Sequence, residues 1–178
     1  MKIIKFLLAF ILLVVLGLVA GSFFLPSTSE VERIVTINQP ADKVFSVVNN
    51  ISRFNEWSPW HGLDPDTKYE LSGPQQGVGA RMIWNSEDRN VGTGSQEIIE
   101  SIANEKVVIA LDFGRQGTAI SEIYTKPQGD MTELTWKLIS DAQGSIIGKY
   151  FNLMLDSMVG PMYEKGLIKL KSICEDQS

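Results

Sequence analysis

The residues able to do chemistry in this chain are few and scattered. His61 is the single histidine, and an ordinary pKa of about 6.5 makes it the first candidate for acid–base work. It sits in a loop rich in proline, glycine and aspartate, with no sequence neighbour that would fix its tautomer. A surface position is therefore expected. Asp64-Pro65-Asp66 begins like a calcium loop, but Lys68 stands at the fifth position and no glycine at the sixth, which removes that reading. Gly77-Val78-Gly79 and Gly92-Thr93-Gly94 lack the third glycine and following helix of a dinucleotide loop. No serine stands in a Gly-x-Ser-x-Gly context. Cys174 is the only cysteine, so neither an internal disulfide nor a cysteine-based metal site can form. No metal and no cofactor is expected.

Five charged residues fall on segments that read as strands: Arg81, Glu97, Glu100, Arg115 and Glu122. Glu122 shares parity with Ile120 and Tyr124 and could point inward. An ionised carboxylate in an apolar interior is costly unless paired, so a solvated sheet face is expected for each. What remains is aromatic and sulfur-rich. Trp57 and Trp60 bracket Ser58-Pro59, and their indoles either line the mouth of a cavity or plug one end of a core. Trp84 and Trp136 share strand parity with apolar neighbours and should face inward, as packed core or as cavity wall.

These side chains need a scaffold, and the stretch from Ile146 to Cys174 organises it. Ile147, Phe151, Met154, Met158 and Met162 recur at helical spacing, and Leu155, Val159, Tyr163, Leu167, Leu170 and Cys174 wind beside them. Two adjacent stripes make an apolar surface too broad for a thin amphipathic face, so a concave partner is expected to cover it. Gly144-Ser145 offers a breaker and an N-cap, and Gly160-Pro161 is expected to kink or split the helix. Methionine-rich surface adapts to variable apolar partners, which keeps a pocket wall in view beside ordinary core.

Upstream, Val31–Ile37 reads as a strand, Ala41–Val48 and Ser52–Trp57 as short helices, and six strands follow between Tyr69 and Ser140. Gly92 and Gly94 permit a bulge or bend in the long strand over 91–101. Leu134, Trp136 and Leu138 alternate with Thr135 and Lys137, a half-buried signature. Strands segregated from helices predict an α+β domain, a curved antiparallel sheet gripping a long C-terminal helix.

Phe6–Leu25 is uncharged and almost wholly apolar, long enough to span a ~30 Å hydrocarbon core. Lys2 and Lys5 precede it, which places the N-terminus on the cytoplasmic side and the domain outside, periplasmic or extracellular. A cleaved signal peptide competes with an anchor, but Phe23, Phe24 and Leu25 carry the apolar run past the small residues at 19–22. The division is then an anchor and short tether over 1–29 and one domain over 30–178. The chain carries 16 basic and 21 acidic residues, and since Lys2 and Lys5 lie at the N-terminus, the part after residue 29 keeps 14 basic and 21 acidic, a net charge of −7. An acidic domain without a basic cluster is a poor match for nucleic acid or anionic lipid heads.

Asn55-Glu-Trp-Ser-Pro-Trp60, Gly73-Pro74 with Gly77-Val-Gly-Ala80, Val91-Gly-Thr-Gly94, Thr132-Glu-Leu-Thr-Trp136 and Gly160-Pro-Met-Tyr-Glu-Lys-Gly-Leu-Ile-Lys-Leu-Lys171 occur in that order. Together they resemble the membrane-anchored branch of the polyketide cyclase/dehydrase and lipid-transport family, within the START/Bet v 1-like (SRPBCC) superfamily. The resemblance implies a helix-grip fold around a hydrophobic cavity and says little about chemistry. The leading expectation is a membrane-anchored domain that binds a hydrophobic small molecule or lipid. The residues expected at the ligand are Trp57, Trp60, Trp84, Phe113, Tyr124, Trp136, Phe151, Met154 and Met158. Two rivals stand beside it. One is a non-catalytic interaction or chaperone-like module whose cavity is filled by its own side chains. The other is a cyclase- or dehydratase-type enzyme, which would need a paired acid and base inside the cavity.

Overall fold

Alternation is strongest in the last strand, and the sheet can be read outward from it. The computed structural model describes residues 2–176. Its strands are β1 (Thr28–Ile37), β2 (Lys68–Ser72), β3 (Arg81–Asn85), β4 (Thr93–Ile102), β5 (Lys106–Asp112), β6 (Thr118–Gln128) and β7 (Met131–Asp141). They form one seven-stranded sheet in the order β1-β7-β6-β5-β4-β3-β2, with every neighbouring pair antiparallel. In β7, Thr132, Leu134, Trp136 and Leu138 are buried on one face, as the alternating pattern predicts. A two-residue turn at Gly129-Asp130 joins β6 to β7, and Gly129 adopts the positive φ such turns favour. The irregularity expected near Gly92 and Gly94 lies elsewhere, at a register shift in β4 between Ile98 and Glu100.

The helices are α1 (Lys2–Ser22), α2 (Ala41–Val48), α3 (Phe54–Trp57), α4 (Ile146–Asn152) and α5 (Leu155–Glu175), with a short 3₁₀ turn at Ile51–Arg53. The C-terminal helix lies along the concave face of the sheet, completing a helix-grip fold. It contacts β1, the edge strand beside β7, most extensively. Ser145 caps α4 by accepting from the Gly148 N–H at 3.1 Å.

The break in this helix falls at Leu153-Met154 and not at the expected Gly160-Pro161. Asn152 accounts for the position. Its buried side chain donates to the carbonyls of Ser27 (3.1 Å) and Ser140 (3.4 Å), and its own carbonyl accepts from the Ser29 hydroxyl (3.2 Å). The end of α4 is thereby pinned to two strands, and the chain must turn there to follow the sheet. Pro161 lies inside α5 on an exposed face, where water can take the carbonyl of Ser157 that lost its partner.

Only one of the two apolar stripes faces the sheet. Leu155, Tyr163, Leu167, Leu170 and Cys174 are buried, whereas Ile147, Phe151, Met154 and Met158 are exposed. The glycines settle the choice. A Cβ at Gly166 would lie 2.8 Å from the Trp136 ring, and one at Gly160 would lie 2.0 Å from the guanidinium of Arg33. Arg33 reaches across that glycine to Asp156 (2.9 Å) and Glu164 (2.7 Å), one turn to either side of it.

The two ends of the grip differ. At the end where β1 finishes, α2 inserts Val44, Phe45, Val47 and Val48 and closes a solid core with Ile37, Leu167 and Leu170. At the other end, Thr28, Asp141, Thr118, Asp112, Thr93, Asn85 and Lys68 come together through the pairing register. That end is not filled.

Burial pushes the Cys174 thiol up to about 11, above its ordinary value of 9.0. Two results are expected. A disulfide reagent at pH 8 should modify the thiol only when the domain unfolds. Stability should be unaffected by this group below pH 9.0 and fall as pH rises from there towards about 11, because over that range the unfolded thiol releases its proton and the folded one keeps it. Denaturation midpoints across that window check the sign.

Candidate functional site

The unfilled end holds a cavity of about 250 Å³. Pockets for drug-like ligands run ~300–1,000 Å³, while an engineered apolar cavity of ~150 Å³ suffices for benzene. The space therefore suits a small apolar molecule or one end of a longer one. Its walls are the inward-facing residues of β2 to β7, the face of α5 at Val159 and Tyr163, and the segment from Phe54 to Trp60. The exposed lining residues Arg89, Asn90, Thr93 and Gln116 mark where it opens, between the β3–β4 loop and the turn after β5.

Two aromatic groups shape the walls. Trp136 stacks on Tyr163 with ring centroids 3.7 Å apart and planes 10° from parallel. Trp60 meets both edge-on at 6.3 and 6.2 Å. Across the cavity, Trp84 packs against Phe113 at 6.0 Å. Gly94 makes this second group possible, because a Cβ there would lie 2.4 Å from the Trp84 ring and 2.6 Å from the Asp112 carbonyl oxygen. Both indole N–H groups are occupied: Trp136 donates to the Ser121 hydroxyl (2.9 Å) and Trp84 to the Val91 carbonyl (3.3 Å).

The polar groups at the walls are mostly neutral. Gln96 is buried, and its amide N–H has only the weakly accepting Met82 sulfur at 3.5 Å. Burial drives the Tyr163 phenol far above its ordinary range, with the nearby Ser121 hydroxyl opposing the shift. Burial also raises Tyr69. Among the described residues the lining includes no carboxylate and no lysine, and its one cation, Arg89, stands at the opening. Such a space favours an uncharged or apolar group, oriented by an amide and hydroxyls.

The structure brings together four of the nine residues expected at a ligand: Trp60, Trp84, Phe113 and Trp136. The other five lie elsewhere. Trp57 is buried behind the wall, edge-on to Trp136 at 4.9 Å and to Phe54 at 4.8 Å, so of the two tryptophans around Ser58-Pro59 one plugs and the other lines. Tyr124 is on the convex face, where its hydroxyl donates to Glu122 at 2.8 Å, because Ser121, Ile123 and Thr125 take the inward parity of β6. Phe151, Met154 and Met158 are on the outward stripe of α4 and α5. Gln96, Ser121 and Tyr163 line the cavity without having been expected there. Tyr163 belongs to the apolar stripe of the helix that turns out to face the sheet, whereas Ser121 sits on a strand whose inward parity the sequence does not settle; a polar group among apolar neighbours gives no local sign that it lines a cavity.

The other candidates resolve as structural or solvated. His61 is exposed, with Nδ1 3.2 Å from the Tyr69 hydroxyl, a partner eight residues away that the sequence does not reveal. Glu100 pairs with Lys106 at 3.1 Å. Asp64 organises its own turn: its side chain accepts from Ser86, from the Asp66 N–H and from Thr67, and the Ser86 contact leads in holding its carboxyl below the usual range. No cluster of three potential metal ligands occurs among the described residues.

The fold is shared with solved structures of low identity. Norcoclaurine synthase from Thalictrum flavum, in complex with dopamine and hydroxybenzaldehyde, superposes with a TM-score of 0.65 at 12% identity, over 85% of this chain and 88% of that one. A Thermobifida fusca protein solved by NMR gives 0.62 at 16% identity, over 82% and 92%. At such identities the likeness is one of fold. No curated protein matches the sequence. The sequence profile of one family, polyketide cyclase / dehydrase and lipid transport, matches residues 28–175. With that match covering the whole sheet and the gripping helix, the chain belongs to the polyketide cyclase / dehydrase and lipid transport family.

Proposed function

We propose that this protein is a single-pass, membrane-anchored binding domain that takes a hydrophobic small molecule or the apolar end of a lipid into the cavity between Trp84 and Trp136. The observation that carries this reading is the unfilled end of the grip, whose walls are aromatic and aliphatic and whose polar groups are mostly uncharged. Burial of apolar ligand surface at ~25 cal/mol per Å² supplies the affinity, and Gln96, Ser121 and Tyr163 set orientation. Anchoring is supported by α1, a 21-residue apolar helix long enough to cross a membrane and unburied by the domain. Lys2 and Lys5 favour a cytoplasmic N-terminus, with the domain on the outer side of the cytoplasmic membrane. The arrangement calls for no cofactor.

Tryptophan emission gives the test, since three of the four tryptophans touch the cavity. Titration of the detergent-solubilised full chain with naphthalene derivatives and medium-chain alcohols should give a saturable change at one ligand per chain. Leu111→Trp, which fills the space from β5, should abolish it while leaving the fold intact. If the native protein gives no saturable response, the cavity is closed to ligands and the interaction-module reading replaces this one.

A further inference from the structure

The outward stripe of α4 and the start of α5 has no partner in the domain. Ile147 is 81% exposed, Leu153 59%, Met154 58%, Met158 50% and Phe151 47%. Five large apolar side chains in contact with water along two consecutive short spans are unusual for a folded surface. Helix α4, which carries the first part of this stripe, is tied to the end of α1. Lys149 donates from Nζ to the Ser22 carbonyl at 3.0 Å, and the Tyr150 hydroxyl donates to the Leu18 carbonyl at 2.8 Å. Gly21 admits this approach, since a Cβ there would lie 2.9 Å from the Tyr150 oxygen. Two carbonyls near the C-terminal end of α1 thus accept hydrogen bonds from α4 side chains. Phe23 and Phe24, which follow at once, are 79% and 89% exposed.

From this geometry we infer that the apolar face of α4 and the first turn of α5 lies in the interface of the bilayer that α1 crosses, and seats the domain on that surface. The inference rests on the reading of α1 as a membrane span. Where α1 leaves the hydrocarbon, its hydrogen bonds hold α4 at the same level, so Ile147, Phe151 and Met154 meet acyl chains. Lys149 and Tyr150 stand where an amphipathic cation and phenol sit best, at the boundary. The stripe itself is uncharged, in keeping with a domain whose net charge of −7 gives no attraction to anionic headgroups. The pairing register then fixes the orientation of the site. The cavity opens at the end where β1 starts and β7 stops, the end that carries α4; Gln143, in the loop before α4, donates to Thr118 beside that opening at 2.9 Å. The opening therefore faces the membrane surface.

Depth-resolved quenching tests this. The full chain is reconstituted in nanodiscs of phosphatidylcholine and phosphatidylglycerol, with Phe151→Cys, Met154→Cys, Ile168→Cys or Leu12→Cys labelled by a small fluorophore. The buried Cys174 stays unlabelled, as the parent protein verifies. Ile168 is exposed but lies towards the far end of the domain, where Lys171 donates to the Thr36 carbonyl, ~25–30 Å along β1 from its start. Probes at 151 and 154 should be quenched by a doxyl group high on the acyl chain, as for a helix ~5–10 Å into the interface. Quenching there should exceed that at 168 by about twofold or more, and the probe at 12 should respond to a deep doxyl. If 12 is quenched while 151 and 154 behave like 168, the anchor stands and the seated face is wrong. If 12 is not quenched by any doxyl, the membrane-span reading fails and takes the inference with it.

Discussion

Trp136→Ala should cost about 3–5 kcal/mol of stability, the range for removing a large aromatic from a packed site. It should also change ligand response more than any other single truncation in the domain. Trp136 is 3% exposed and contacts both halves of the structure: Tyr163 stacks on it from α5, Trp57 and Trp60 meet it edge-on, and Ser121 accepts its N–H. Truncation removes the stack, opens the cavity into the core and leaves Gly166 facing empty space. Trp136→Phe keeps a ring and loses the N–H bond, so it should cost less, about 1–3 kcal/mol. Thermal or urea unfolding of the two variants measures the difference. A loss below about 1 kcal/mol for the alanine variant, the scale of a surface substitution, would show that the stack is not part of the core.

The second large effect is expected at Gly94. Gly94→Ala should destabilise the domain by about 1–3 kcal/mol through overpacking and expel Trp84 from the cavity wall. One atom in the clash is a ring that can move, at 2.4 Å; the other is the Asp112 carbonyl of the adjacent strand, at 2.6 Å, which can move only if the β4–β5 pairing does. Gly160→Ala makes a useful comparison, because its closer clash, at 2.0 Å, is with the free end of Arg33. That end can swing away at the loss of exposed ion pairs worth ~0–1 kcal/mol. Displacement of Trp84 should appear as a shift in tryptophan emission and a weakened response to apolar ligands. Unchanged emission and affinity in a folded Gly94→Ala protein would mean that Trp84 is not held where the structure places it.

Much of this architecture is legible in the residues, and the failures have physical causes. The alternation in β7 places Trp136 inward because a half-buried strand has no other way to hide Leu134 and Leu138. Strand β6 is harder: Ile120 and Ile123 sit on opposite parities, so apolar residues alone do not choose a face, and the pairing turns Tyr124 outward against expectation. The helix poses the same problem in another form. Two adjacent stripes share one period, and periodicity cannot say which of them meets the sheet; Gly160 and Gly166, where other side chains approach closely, are the better guide. The break before α5 is not readable at all, since the partners of Asn152 lie 12 and 125 residues away. Pro161 is the conspicuous local breaker, but an exposed carbonyl makes it tolerable. Four of the nine expected site residues reach the cavity because large aromatics at inward positions are conspicuous. Gln96, Ser121 and Tyr163 are not conspicuous, because their value as contacts depends on the hollow around them.

The outward stripe also revises the role expected of methionine in this chain. Met154 and Met158 do not line the cavity; they lie on the outside of the domain, on the stripe that α4 and α5 leave exposed. The adaptability that suits a thioether to an irregular pocket suits it equally to acyl chains.

The central claim is that the hollow end of the grip holds an apolar ligand, and native mass spectrometry of the full chain, released gently from detergent and followed by organic extraction, tests it most directly. The expected result is a reproducible adduct at one molecule per chain, apolar on extraction, and absent from a folded Leu111→Trp protein. A chain that flies at its bare mass from several preparations, and stays bare after exposure to lipids and small aromatic compounds, would contradict it.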